Sequence, residues 1–410
     1  MLNWLQQFDT FSFLDNHQYQ IEPHTQECLV AAGARDRIDH SGKGFLPALH
    51  KFTSQPKRWL FGHLGYDLKN DLEDLSSSHP DHIGFADFSF FEPMIVLRLN
   101  ETELTIEADD PAGVYQAIHD SIADISASAG SSSALFVQQK ISREEYLDII
   151  RKLQQHILRG DCYEINFCQE FFAENAQIDP VRIYNNLSSI SPNPFSGFYR
   201  QKDKWLLCAS PERFIKKDGQ RILSQPIKGT ARRALSDQAA DDRLKENLYL
   251  NPKDRSENVM VVDLVRNDLA KVCEEGTVSV DELYGIYSFP QVHQMISTIS
   301  GLLKEEASFV EIVKATFPMG SMTGAPKKRV MQLIEQYERT RRGIFSGAIG
   351  YISPDGDFDF NVVIRSILYN SASKYVSFLA GSAITFYADA EEEWEECMLK
   401  ASAIRLALEK

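Results

Sequence analysis

In Ser142–Asp161, SREEYLDIIRKLQQHILRGD, the apolar residues Tyr146, Ile149, Ile150, Leu153 and Ile157 recur at helical spacing. Ser142 and Glu145 predict a capping box at its start, and Gly160 predicts its end. The next segment, CYEINFCQEFF, alternates instead. Tyr163, Ile165, Phe167 and Phe171 share one face and Glu164, Asn166 and Glu170 the other, which predicts a strand with one polar face. A hairpin follows in PERFIKKDGQRILSQPIKGT, with Asp218-Gly219 as the turn and Glu212 opposite Gln225. Lys228 lies three residues further on, within roughly 10 Å of Glu212 at ~3.3 Å per residue. The C-terminal third reads as a meander: GIFSGAIGYIS, a Pro354-Asp355-Gly356 turn, FDFNVVIRSILY, KYVSFLAGSAITFY and a last helix.

Short strand-to-strand links favour antiparallel pairing, so the expected class is α+β, with antiparallel sheets packed in layers and helices outside. The one low-complexity break is SASAGSSSA, Ser126–Ala134, which divides an N-terminal portion, 1–130, from a second unit, 135–408. There is no internal repeat.

At 410 residues and 43% apolar, the chain can fill a substantial core. Its formal charge of −15 argues against nucleic acid or anionic lipid as a partner, so an anionic substrate must meet a locally positive pocket. Six cysteines without a Cys-x-x-Cys pair suit reduced core thiols. With no signal-like N-terminus and no window of 18 apolar residues, the expectation is a soluble cytoplasmic protein.

Two helices carry carboxylates three residues apart: Asp254 and Glu257 in NPKDRSENVMVVDLVRNDLAKVC, and Glu393 and Glu396 in DAEEEWEECMLKASAI. Such pairs share a helix face and suit a hard cation such as Mg²⁺, or in a first turn simply complement the macrodipole. Lys400 lies on the Glu396 face, either as an i, i+4 ion pair or as a holder of a substrate carboxylate. GSMTGAPKKRVM departs from the Walker pattern at Ala325 and Pro326; Pro326 suits the first helical position, leaving free backbone N–H groups before it for an anion. Arg365 interrupts FNVVIRSIL opposite Phe360, Val362 and Ile364 and needs an anionic partner, structural or substrate. His293 is open between core histidine and general acid or base.

Together SPERF, PIKGTARR, ENVMVVDLVRNDLA, GSMTGAPKKRVM, SGAIGYIS, VVIRSI, AGSAI and EEWEECMLKA, spanning Ser142 to Ala403, resemble the chorismate-utilising enzymes. That family includes anthranilate synthase component I, aminodeoxychorismate synthase component I, and the isochorismate and salicylate synthases. The resemblance implies their chorismate-binding fold. Lysine in Pro-Ile-Lys-Gly-Thr is similar to the aminodeoxychorismate synthases, transferases that aminate chorismate at C4 to 4-amino-4-deoxychorismate for 4-aminobenzoate and folate.

By that resemblance Lys228 is the nucleophile that adds to C2, Glu212 protonates the departing C4 hydroxyl, and His293 belongs to the same machinery. Glu257 and Glu396 hold Mg²⁺, with Asp254 and Glu393 beside it. Tyr351, Arg365, Gly381, Ser382 and Lys400 match positions that hold the enolpyruvyl carboxylate, and Gly229, Thr230 and Thr323 line the pocket. A neutral amine is required, whereas free lysine has a pKa of ~10.4, so burial or a neighbouring positive charge is expected to lower it. Ammonia is expected from a separate glutamine amidotransferase subunit.

Two departures stand out. Glu164 occupies a place where aminating members commonly have glutamine and isochorismate-forming members a lysine nearby. FSFLDNHQ lacks the Leu-Glu-Ser run with which many anthranilate synthases bind tryptophan, so inhibition by tryptophan is not expected. The competing readings are an anthranilate synthase component I, an isochorismate or salicylate synthase, and a catalytically silent chorismate-binding subunit.

Overall fold

A computed structural model describes residues 1–19, 27–55, 57–121 and 135–409. Four N-terminal strands, β1 (Thr10–Asp15), β2 (Cys28–His40), β3 (Leu60–Leu64) and β4 (Phe88–Leu99), join two antiparallel sheets. β2 and β4 are 13 and 12 residues long and pair along their length, with a register shift between Ala34 and Asp36. An irregularity of this kind bends a ribbon. On one side of it β2 pairs with β1, and the sheet continues through β6 (Phe195–Gln201), β7 (Lys204–Ser210), β15 (Ser366–Asn370) and β16 (Tyr375–Ile384) to β5 (Glu164–Ala173). On the other, β4 pairs with β3. That sheet runs on through β13 (Ala348–Ile352), β14 (Phe358–Asn361), β8 (Arg213–Asp218) and β9 (Arg221–Gln225) to β12 (Val292–Leu302). β12 carries β10 (Ile227–Arg232) and β11 (Ser279–Ser288).

Three apolar layers hold these parts together. The first lies between one sheet and the helices α1 (Arg143–Leu158), α2 (Pro180–Ile190), α5 (Lys327–Tyr337) and α6 (Ala390–Glu409). The second lies between the other sheet and α3 (Pro252–Ala270), α4 (Phe309–Thr316) and the helix Phe45–Thr53. Between the sheets, Leu29, Phe61, Tyr199, Leu206, Ile349 and Leu379 form the third. The approach there is close enough that a methyl on Gly197 of β6 would lie 2.5 Å from Ile349 Cδ1 of β13. The α+β layering read from the sequence is the observed one. N-terminal residues enter all three layers, and the expected division near residue 130 falls on 122–134, outside the described residues.

Several local expectations are corrected. Ser142 Oγ accepts from the Glu145 N–H at 3.2 Å, but the Glu145 carboxylate takes two hydrogen bonds from Arg339 instead of closing a capping box. Tyr163 is 70% exposed and outside β5, whereas the polar face of Glu164, Asn166 and Glu170 is buried. The hairpin turns one residue later than read: Asp218 pairs with Arg221, Gly219 takes φ +60°, and a bulge between Arg213 and Lys216 places Arg213, not Glu212, opposite Gln225. Pro326 caps α5 from outside rather than occupying its first turn. FNVVIRSIL is not one strand, because the chain leaves β14 after Asn361 and re-enters β15 at Ser366, with Arg365 at φ +50° in the gap.

All six cysteines are buried and free, and among the described residues no helix is long and apolar enough to cross a membrane. Gly62 and Gly350 face each other in the β3–β13 register, and a methyl on Gly350 would lie 2.1 Å from the Asp359 carbonyl oxygen. Gly350→Ala is expected to cost about 1–3 kcal/mol, read as a lower urea midpoint with an unchanged slope.

Candidate active site

β10 and β5 belong to different sheets, and at their meeting Lys228 Nζ lies 2.6 Å from Glu164 Oε1. The side chains are 9% and 1% exposed, so this is a buried ion pair. Burial disfavours the ammonium, but the charges of Glu164, Glu257 and Glu212 more than offset it, and the lysine is held above its ordinary range. That reverses the expectation of a lowered amine. The lysine meets a cluster of acids rather than a second cation.

Glu212, 4% exposed, sits just before β8, its carbonyl oxygen accepting from the Val362 N–H at 3.0 Å. Burial pushes its carboxyl up to about 7, and Ser321, Lys228 and Arg365 pull it only partly back. Glu257 is also pushed up to about 7, first by burial and further by the Glu164 charge, and its Oε1 is buried without a hydrogen-bond partner. The Arg365 guanidinium is lowered by burial and steadied by Glu212, and it makes no hydrogen bond or ion pair among the described residues. Of the two partners open to it, a structural salt bridge is therefore absent.

Asn251 sets the start of α3: its Oδ1 accepts from the N–H groups of Lys253 and Asp254 at 2.9 and 3.3 Å, with Pro252 at the first position. This brings Asp254 against β10. Gly229 has φ +91°, and a methyl there would lie 3.1 Å from Asp254 Cβ, so both conformation and space demand glycine. On α6, Glu393 is 3.5 Å from Lys253 Nζ and Glu396 2.7 Å from Lys400 Nζ. Lys253 feels Glu393, Glu257 and Glu396 together, so the acidic faces of α3 and α6 converge.

Among the described residues no three acids form a closed ligand set. The partly open arrangement, with buried unpartnered oxygens on Glu257 and Glu393, nevertheless fits a hard cation that keeps waters or takes further oxygen from a substrate. Burial raises Asp254, Glu257 and Glu393.

The remaining predicted residues divide. Lys400 also donates to the Gly381 carbonyl at 3.0 Å, and the Ser382 hydroxyl lies beside Glu393, so both border the acids. Gly381 is fixed by packing, since a methyl would lie 1.9 Å from the Phe167 carbonyl oxygen. Thr230 is exposed past the buried lysine, and Thr323 is buried with its hydroxyl donating to Met319 O at 3.0 Å. His293 is buried one strand over, Nδ1 2.9 Å from Ser288 Oγ and Nε2 3.2 Å from Asp241, which Arg233 holds at 2.8 Å. Tyr351 lies elsewhere: its ring packs on Trp59 and on Phe61, its register partner on β3, and lines a separate cavity with Leu14, Asn16 and Arg213. Lys253, Asp241 and Arg233 were missed; only the place of Lys253 beside Asp254 signalled any of them.

This seam of two antiparallel sheets joins a buried lysine, an arginine with no hydrogen bond or ion pair among the described residues and two acidic helices, an arrangement suited to a small polyanion. A family model described as chorismate binding enzyme matches residues 9–406, and the chain belongs to that family. It is 35% identical over 353 residues to aminodeoxychorismate synthase component 1 of Klebsiella aerogenes, covering 85% of this chain and 76% of that one. It is 32% identical to anthranilate synthase component 1 of Thermus thermophilus over 359 residues, covering 85% and 77%. The chain spans between 30% and 76% of the length of the aminodeoxychorismate synthases it matches. Among solved structures, anthranilate synthase component I of Streptococcus pneumoniae superposes with a TM-score of 0.80 at 24% identity over 95% of this chain and 94% of that one, a likeness of fold.

The Glu212 carboxyl, near 7 in the folded protein against an ordinary 4.5, carries no penalty below pH 4.5 and loses stability as it ionises between there and about 7. Glu212→Gln should therefore gain stability relative to the parent from pH 5 to pH 8, by roughly 2–3 kcal/mol in urea unfolding.

Proposed function

We propose that this chain aminates chorismate at C4 with ammonia, giving 4-amino-4-deoxychorismate for 4-aminobenzoate and folate synthesis. The reaction runs through a covalent bond from Lys228 to ring carbon C2. The observation that carries the reading is Lys228 itself, a buried amine at a strand end in contact with one carboxylate and in the field of two more. A merely structural lysine would ordinarily snorkel to water.

Arg365, in the field of Glu212, takes the enolpyruvyl carboxylate, and Lys400, Ser382 and the Gly381 backbone border the acids of α6. Glu257 and Glu396, with Asp254 and Glu393 beside them, would hold Mg²⁺, which when bound supplies positive charge for the ring carboxylate. These local charges are what let a dianion enter a chain of −15. Lys228 Nζ bonds to C2, the ring double bonds shift, and the C4 hydroxyl leaves as water with the proton of Glu212. A carboxyl near 7 is suited to that donation at neutral pH. Ammonia then bonds to C4, the double bonds shift back, and the C2–N bond breaks to release the lysine. Gly229, at φ +91°, shapes the irregularity of β10 that follows the lysine, and Thr230 and Thr323 are proposed to line the pocket. His293 keeps Asp241 and Ser288 in place one strand away.

The ammonia source is a glutamine amidotransferase subunit, a reading supported by the "component 1" in the relatives' names, and the setting is the cytoplasm. A second reading, amination at C2 with loss of pyruvate to give anthranilate, is favoured by the Thermus likeness. It leaves Lys228 without a task.

Mass spectrometry of products from chorismate, Mg²⁺ and ammonium at high pH decides between them. Aminodeoxychorismate is expected from the parent and none from Lys228→Ala, with Glu212→Gln slower by roughly 10²–10⁴-fold. Anthranilate as the parent's product would sink the reading.

A further inference from the structure

Resting on the Lys228 adduct, we propose that Glu164 takes the proton that must leave the Lys228 ammonium before C2 is attacked, and keeps it until the amine is expelled. An ammonium has no lone pair, and the surroundings of Lys228 hold it as one. Some group must receive a proton. Of the carboxylates that act on this lysine, only Glu164 is hydrogen-bonded to Nζ among the described residues, at 2.6 Å. Glu212 has to be protonated at the moment of attack, since it supplies the proton that makes the leaving hydroxyl water. Glu257 faces the acids of α6 and is given to the metal.

The surroundings of Glu164 suit the transfer. Its Oε1 meets the lysine while its Oε2 is buried with no hydrogen-bond partner, so little besides Lys228 stabilises the carboxylate charge. At 1% exposure, a neutral carboxylic acid beside a neutral amine avoids the cost of two buried charges. The backbone is fixed as well. Glu164 pairs with Ala325 in the sheet, and a methyl on Gly324 would lie 2.0 Å from the Glu164 carbonyl oxygen. The charged groups facing the pair are Glu212 and Arg365, Glu257 on α3 and Glu396 on α6.

The protons balance. Glu164 carboxylate and Lys228 ammonium become acid and amine; the amine forms the C2–N bond as a secondary ammonium while Glu212 loses its proton to the departing water. When ammonia bonds to C4, its extra proton restores Glu212 and the C2–N bond breaks to give neutral Lys228. Glu164 then returns the proton it held. The sum is chorismate and ammonia to aminodeoxychorismate and water.

The test follows adduct formation by intact mass of the full chain with chorismate and Mg²⁺ but no ammonia, between pH 6.5 and 9.5. The parent should gain the mass of chorismate less water at a rate that falls above about pH 7, as Glu212 ionises. Glu164→Gln, which keeps shape without basicity, should be slow at neutral pH and lack that fall, because its ammonium must give its proton to solvent, a gain of about tenfold per pH unit that offsets the ionisation of Glu212. Glu164→Asp should restore the parent's falling profile, and circular dichroism verifies that both variants fold. Parallel pH profiles for the parent and Glu164→Gln would overturn this inference alone. Absence of an adduct in the parent would overturn the lysine reading with it.

Discussion

Taking the Lys228 ammonium out of water leaves a charge that only nearby carboxylates satisfy, and those that do so come from distant parts of the chain. Glu164 arrives on β5, Glu212 before β8 and Glu257 in α3. β5 and β10 lie at opposite ends of the path of strands, so the charge is satisfied only when the two sheets close face to face. Removing one partner of such a pair costs about 3–5 kcal/mol, because the other charge is stranded. The demand of one side chain thus ties the third apolar layer, the pairing of β5 and the position of α3 to the chemistry.

The same crowding explains the acidic helices. Carboxylates packed at this density rise toward neutrality unless cations join them, and Lys253 and Lys400 each serve as one. In the proposed function a divalent ion and a substrate carboxylate would share that charge with the two lysines. An acidic surface and a cationic demand inside are therefore compatible, since the first is set by composition and the second by convergence.

Much of this was legible in sequence because it is local. The helix from Arg143, the alternation of β5, the i, i+3 acids and the Lys228 motif all express periods of a single element. What escaped was set by tertiary contact. The bulge that shifts the hairpin register has no signature in PERFIKKDGQ, and Arg365 looked like a strand residue until the chain was seen to break around it. The direction of the Lys228 shift could not be read at all, because it depends on Glu164, 64 residues away, touching the amine. Tyr351 shows the limit of carrying a role by position, since one turn of the pleat decided which cavity it lined.

β1 and β3 are placed early in the chain, yet their outer partners are β6 and β13. As the polypeptide leaves the ribosome, the edge of β1 stays open until Gln201 has emerged, and that of β3 until Ile352 has. Both edges border apolar strands, the kind that recruit foreign strands when left unpaired. Until then the N-terminal sheet carries two unpaired edges, and its closure waits on strands encoded well over a hundred residues later.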